Sequence, residues 1–278
     1  MCVNKDEQKR IQEMSYTDFI ALLQETNRCP GGKRTVKRIR ELLHIAENTK
    51  LLEVGSNTGF TSLEFAHISP AQICGIDISA ECVRVANDTK MADVQNIKDR
   101  VSFQVGSGYN IPFSEESFDI IMTGGATGFM DDKSTALKEY FRVLKTWGFL
   151  VMTPLVYHTE PPQEVLDSVS KIIGTKIIPM RASDWERKVT EENKLWELYH
   201  QEQHVLTSRA DIDINTYISY FMNKQHLRSQ SDEIRQAIEC RWRSHINTFN
   251  ENHKYLGYVI QIYRKRKIEE EPELFVTS

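Results

Sequence analysis

Between Leu51 and Met152, short apolar runs alternate with segments of helical periodicity, and few folds accept that rhythm. Leu51 to Val54 reads as a strand ending at Gly55, followed by a helix through Leu63, Phe65 and Ala66. Ala71 to Ile76 is a second strand ending at Asp77, with a helix through Cys82, Val83, Val85 and Ala86 behind it. Val101 to Val105 alternates as a third strand. Phe118 to Met122 and Phe149 to Met152 are a fourth and fifth, separated by a helix through Ala136, Leu137, Tyr140, Phe141 and Leu144. Strands joined by helices of this length need crossover connections, which makes the sheet mostly parallel. Ligands on such sheets sit beyond the carboxyl ends of the strands, where the strand order reverses.

The flanks are less regular. Up to Asn48 the chain reads as helical, with Cys29-Pro30-Gly31-Gly32 separating two helices. After Pro154 the pattern predicts a helix from Pro161-Pro162 to Ile173, a strand over Leu195 to Leu206, and helices over Ile212 to Met222 and Glu233 to Ile246. Tyr255 to Tyr263 is a strong late strand, read as returning to the sheet. The expected organisation is one domain over 1–278: N-terminal helices over 1–48, a core over 49–154, a cap insertion over 155–254, and a final strand and tail over 255–278. The tail Glu269-Glu270-Glu271-Pro272 is expected to be disordered.

A formal net charge of −4 gives no general attraction to nucleic acid or to an anionic membrane. The basic residues Arg28, Lys33, Arg34, Lys37, Arg38 and Arg40 lie along one helical stretch beside an apolar stripe and read as its solvated face. The polar N-terminus lacks an apolar signal core, and no run approaches the length of a membrane span. Cys2, Cys29, Cys74, Cys82 and Cys240 are scattered without a CxxC pair, which points to free thiols in a reducing cytoplasm. His200, Glu202 and His204 share one face of a strand, a spacing a metal could use, but the expected reading is a solvated edge and no metal.

Three strand ends line up to form a ligand site. Glu53-Val54-Gly55-Ser56-Asn57-Thr58-Gly59 joins a strand to a helix, and its glycines permit backbone conformations that a side chain would block. A dinucleotide fingerprint wants glycine where Asn57 and Phe60 stand, so a pyrophosphate ligand fits poorly. Asp77 follows about 20 residues beyond the loop, where an acid can accept both ribose hydroxyls. Third come Val105-Gly106-Ser107-Gly108-Tyr109-Asn110-Ile111-Pro112-Phe113 and Ser117-Phe118-Asp119.

In this order and spacing the segments resemble a class I S-adenosylmethionine-dependent methyltransferase of the small-molecule type. Glu139-Tyr140-Phe141-Arg142-Val143-Leu144-Lys145 is similar to that family's helix before the fifth strand. The likeness spans Gly31 to Thr153, with an echo over Tyr255 to Lys265. It implies a Rossmann-like α/β fold with a mostly parallel seven-stranded sheet, a late antiparallel strand, N-terminal helices and a helical cap insertion. It also implies S-adenosylmethionine as cofactor, bordered by Glu53, Gly55, Ser56, Asn57, Gly59, Asp77, Ile78, Ser107, Gly108 and Thr123. Glu53 and Gly55 would border the methionine end, Asp77 the ribose and Ile78 the adenine. Ser107 stands where many relatives carry an Asp. Lys145-Thr146-Trp147-Gly148 replaces the family's Lys-Pro-Gly-Gly turn, and Thr123-Gly124-Gly125-Ala126 replaces bulkier residues.

The reaction expected is methyl transfer to a small-molecule acceptor. Because the sulfonium methyl is already electrophilic, in-line positioning supplies most of the acceleration. A base, if one is needed, would come from Tyr157 or His158 after the fifth strand, and Tyr16 is a candidate substrate contact. The alternatives are another use of the sulfonium such as cyclisation, an RNA or protein acceptor, and a non-catalytic cofactor-binding protein.

Overall fold

The computed structural model describes residues 2–26, 28–93 and 97–268, with side chains from residue 6 onward. Among the described residues three helices precede the first strand: α1 (Cys2–Glu13), α2 (Tyr16–Leu23) and α3 (Lys33–Leu42). The sequence predicted one break here, and there are two. The unforeseen one falls at Ser15, whose hydroxyl accepts the Asp18 N–H at 3.1 Å and starts a new helix.

The alternating core follows as expected: β1 (Lys50–Val54), α4 (Phe60–Ile68), β2 (Gln72–Asp77), α5 (Ala80–Ala92), β3 (Val101–Val105) and β4 (Phe118–Thr123). A 3-10 turn (Ala126–Phe129) leads to α6 (Lys133–Val143) and β5 (Leu144–Met152). Beyond it come β6 (Leu155–Tyr157), α7 (Gln163–Ile173), α8 (Ala182–Glu192) and β7 (Trp196–Val205). The chain then forms α9 (Asp211–Met222), α10 (Gln225–Arg228), α11 (Asp232–Asn252) and β8 (Leu256–Lys265). The expected acidic tail from Glu269 lies outside the described residues.

β1 to β5 run parallel in the order β3-β2-β1-β4-β5, and β8 joins β5 antiparallel. β6 continues the line of β5 along the same edge of β8, with Met152 opposite Gln261 and Leu155 opposite Tyr258. Pro154, which has no N–H to give the ladder, separates the two pieces, and its carbonyl accepts the Val259 N–H at 3.2 Å. β7 closes the other edge of β8. Among the described residues eight strand segments therefore occupy seven ranks, matching the seven-stranded expectation. The order reverses between β1 and β4, so a ligand crevice opens above their carboxyl ends.

Apolar residues bury both faces of the sheet. Leu51, Ile73, Ile120, Met122 and Ile262 pack toward α3 and α4, whereas Leu52, Ile76, Ile121, Leu150 and Tyr263 pack toward α6 and α8. The span 155–254, expected to be a cap, divides differently. β6 and β7 belong to the sheet, and α8 lies on it, its Ala182 carbonyl accepting from Gln261 Nε2 at 3.0 Å. Antiparallel to β8 as β5 is, β7 has its carboxyl end at the same end of the sheet as that of β5. The helices inserted between β7 and β8 therefore stand over the strand ends. There Ile214, Ile218, Phe221, Ile238 and Trp242 share one core with Ile11, Phe19, Ile20 and Leu23 of α1 and α2. The roof of the crevice thus comes from both ends of the chain. Among the described residues no helix is long and apolar enough to cross a membrane.

Candidate functional site

At the end of β1 the backbone turns sharply. Gly55 has φ +77°, and a Cβ there would fall 2.2 Å from the Ala126 Cβ. Asn57 is also left-handed at φ 46°, and its side-chain oxygen accepts the Thr58 N–H at 2.8 Å, a local bond that offsets the strain. Gly59 is glycine for a different reason. At φ +89° its missing Cβ leaves space for the Phe103 ring and Ala86, 2.8 and 3.0 Å away. Gly59 therefore seats α4 on its neighbours and does not face a ligand.

Asp77 ends β2 and is 7% exposed. Its carboxylate accepts the Asn57 N–H at 2.8 Å and the Ser79 N–H at 2.9 Å, one on each oxygen. The acid thus fixes the glycine loop against the end of β2. Burial raises its pKa, and the backbone N–H groups of Ser79, Asn57 and Ile78 oppose that rise. A carboxylate offers about four acceptor positions, so about two stay available for a ligand. Beside it Ile78 is 72% exposed, a large apolar side chain left in water at a strand end. Across the ladder Asp77 pairs with Val105, which places Ser107 and Gly108 next to the same corner. The Ser107 hydroxyl accepts the Tyr109 N–H at 3.2 Å and keeps its own proton to donate. Gly108 is packed beneath Met130 and against Val54.

These features fit the nucleoside half of S-adenosylmethionine: a buried acid with spare acceptors for two hydroxyls, and an apolar plate for a flat base. In the glycine loop, Ser56 is buried and its hydroxyl has no partner among the described residues, which suits a polar ligand group.

Other expected residues turn elsewhere. Glu53 is buried, and its carboxylate accepts from Ser62 N at 3.0 Å and Ser62 Oγ at 2.6 Å. Burial lifts its pKa to about 7, against the pull of those bonds. Its side chain holds the first turn of α4 and does not border the crevice, because alternation along β1 places it on the α4 face with Leu51. Thr123 is likewise fully buried. Its hydroxyl lies 2.8 Å from that of Thr127, which in turn lies 2.9 Å from the Tyr140 hydroxyl. This chain anchors the 3-10 turn that presses Ala126 onto Gly55. The small residues after β4 therefore leave room for the protein itself.

Tyr16 is half-buried, edge-on to His245 and Phe249, with its phenol pKa raised first by burial and then by the charge of Glu25. Tyr157 is buried and donates to Asn252 Oδ1 at 3.2 Å, its pKa also raised by burial. His158 is exposed, with Nδ1 2.8 Å from Thr159 Oγ1. His200 and His204 flank Glu202, but that carboxylate takes Arg38 Nε at 3.0 and 3.2 Å. No group of three metal-binding side chains occurs among the described residues. A shallow depression around His67, Pro70 and Arg100 lies at the amino ends of the strands, where Arg100 spans the carbonyls of Ala66 and Ser69.

One part of the site was not foreseen. The segment between α2 and α3 straps the glycine loop, with Thr58 Oγ1 donating to the Glu25 carbonyl at 2.8 Å. Cys29 is buried beside Gly124, with burial and Glu53 pushing its thiol up to about 12. In the sequence only Gly31-Gly32 hinted at this strap, and it read as a simple helix breaker.

A parallel sheet, a glycine loop after β1 and an acid ending β2 make a crevice whose groups fit a nucleoside-like ligand. Residues 52–152 match the family described as "Methyltransferase domain". The chain is 35% identical over 119 residues to the ubiquinone/menaquinone biosynthesis C-methyltransferase of Geotalea daltonii, covering 42% of this chain and 48% of that one. It spans 45% to 67% of the length of several curated relatives it matches. Among solved structures, the MccD protein superposes with a TM-score of 0.71 at 23% identity, over 86% of this chain and 100% of that one. The [4+2]-cyclase SpnF gives 0.65 at 22%, over 84% and 82%. At these identities both report the fold. Over residues 52–152 the chain is therefore similar to methyltransferase domains, and its fold is that of S-adenosylmethionine-dependent methyltransferases.

Proposed function

We propose that this protein binds S-adenosylmethionine across the carboxyl ends of β1, β2 and β3 and transfers its methyl group to a small molecule beneath the helical roof. The observation that carries this reading is Asp77, a buried carboxylate ordered by two backbone N–H groups and still able to accept two more bonds. When bound, the cofactor supplies an electrophilic methyl group on a sulfonium. Asp77 holds the ribose hydroxyls, Ile78 covers the adenine, and the Ser107 hydroxyl meets its edge. The roof of α1, α2 and α9 to α11 excludes water and holds the acceptor in line, which is most of what this reaction asks of a protein. A small acceptor suits a crevice so covered, and the net charge of −4 offers no general attraction for nucleic acid.

Incubating the protein with methyl-labelled cofactor and a metabolite extract tests the proposal. A labelled small molecule formed together with S-adenosylhomocysteine supports it. Release of 5′-methylthioadenosine instead would mean a different use of the sulfonium. Absence of cofactor binding by calorimetry would remove both.

A further inference from the structure

We propose that Arg28 binds the carboxylate at the methionine end of the cofactor, an inference that rests on the S-adenosylmethionine binding proposed above. The methionine end is a zwitterion, so its recognition calls for a cation near the glycine loop. Glu53, the charged residue at the head of that loop, is committed to Ser62 on the far face of β1. The strap supplies the cation.

Its position is well defined on both sides. Upstream, the Glu25 carbonyl holds Thr58 of the glycine loop at 2.8 Å. Downstream, the buried Cys29 packs against Gly124 after β4. Between these anchors the Arg28 guanidinium lies over the ring of Phe60, 5.4 Å from its centroid, directly beyond the glycine loop. Of the other cations of this stretch, Lys33 pairs with Glu64 at 2.7 Å and Arg38 with Glu202 at 3.0 Å. Among the described residues Arg28 has no ion pair and no hydrogen bond. A guanidinium presents a planar fork of donors that matches a carboxylate, and stacking on Phe60 orients the fork without using any donor. The roof reaches the same place. Tyr217 of α9 donates to Glu25 Oε1 at 2.9 Å, and the charge of Arg28 is felt at that phenol. A ligand carboxylate on Arg28 would therefore sit where glycine loop, strap and roof meet.

The test compares two ligands by calorimetry: S-adenosylhomocysteine, which carries the amino-acid end, and 5′-methylthioadenosine, which lacks it. Arg28→Gln should weaken S-adenosylhomocysteine by about 10- to 100-fold, the loss expected for a charge-assisted bond. Binding of 5′-methylthioadenosine should stay within about twofold, and Arg28→Lys should recover part of the loss by restoring the charge without the fork. Arg28 is exposed, so both variants should melt with the wild type. Unchanged affinity for S-adenosylhomocysteine, or an equal loss for both ligands, would overturn the assignment. Failure of the wild type to bind either ligand would overturn the cofactor reading beneath it.

Discussion

Replacing Asp77 separates its two tasks, ordering the loop and holding the ligand. In Asp77→Asn one oxygen becomes an NH2 group. That group must face either the Asn57 N–H or the Ser79 N–H, which now sit 2.8 and 2.9 Å from acceptors. One buried donor loses its partner, at a cost of about 1–3 kcal/mol in stability. On the ligand side, a ribose hydroxyl that donated to a charged oxygen loses a bond of about 1.5–3 kcal/mol. A value of about 2 kcal/mol corresponds to roughly 30-fold in affinity. Asp77→Ala removes both ligand bonds and should cost several hundred-fold by the same scale. Calorimetry with adenosine and 2′,3′-dideoxyadenosine isolates the ribose contribution from any loosening of the loop. The wild type should prefer adenosine by about 30-fold or more, and Asp77→Asn should erase most of that preference. If both proteins discriminate equally, or if Asp77→Ala binds S-adenosylhomocysteine within threefold of the wild type, the acid does not hold the ribose.

Glu53 makes stability depend on pH, with a definite sign. Its folded pKa of about 7 lies above the unfolded value, so the stabilisation is complete below pH ~4 and declines as pH rises through 7. The loss amounts to about 3 kcal/mol. Urea denaturation from pH 5 to 8 should show it, and Glu53→Gln should flatten the slope. Ile78→Ala should leave the melting temperature unchanged, because the side chain is mostly in water, yet weaken S-adenosylhomocysteine about fivefold through lost contact with the adenine. Gly59→Ala should destabilise by at least about 2 kcal/mol in urea denaturation, from its positive φ and the Phe103 ring 2.8 Å away. A wild-type midpoint would contradict the packing role assigned to Gly59.

Much of the core was legible in the sequence because the strand–helix rhythm of 51–152 reflects burial on both faces of a parallel sheet. The placement of Asp77 at the end of β2, with Ile78 just beyond it, was readable too, since a strand end fixes where such residues lie whatever the details of packing. Glu53 and Thr123 occupy the expected strand ends, but their side chains turn into the protein. Which way a side chain leaves a strand depends on register against its neighbours, and a single sequence does not carry that register. α8 was overlooked although Trp185 and Val189 lie at helical spacing and Asp184 caps its start. β6 is three residues long and gains its identity only from pairing with β8. The strap escaped for a related reason: its contact with Thr58 uses a backbone carbonyl, which leaves no mark on residue type.

The roof shared by both ends of the chain also sets an order of assembly. Phe19, Ile20 and Leu23 leave the ribosome early, yet their partners Ile214, Phe221 and Trp242 are synthesised near the end. The sheet ranks β1 to β5 have their own short-range connections and can pair before those partners exist. Throughout that interval Phe19, Ile20 and Leu23 lack the α9 and α11 side chains of their final core. The crevice cannot close before α9 and α11 have been made, and an N-terminal segment slow to dock would leave a folded sheet without a closed site.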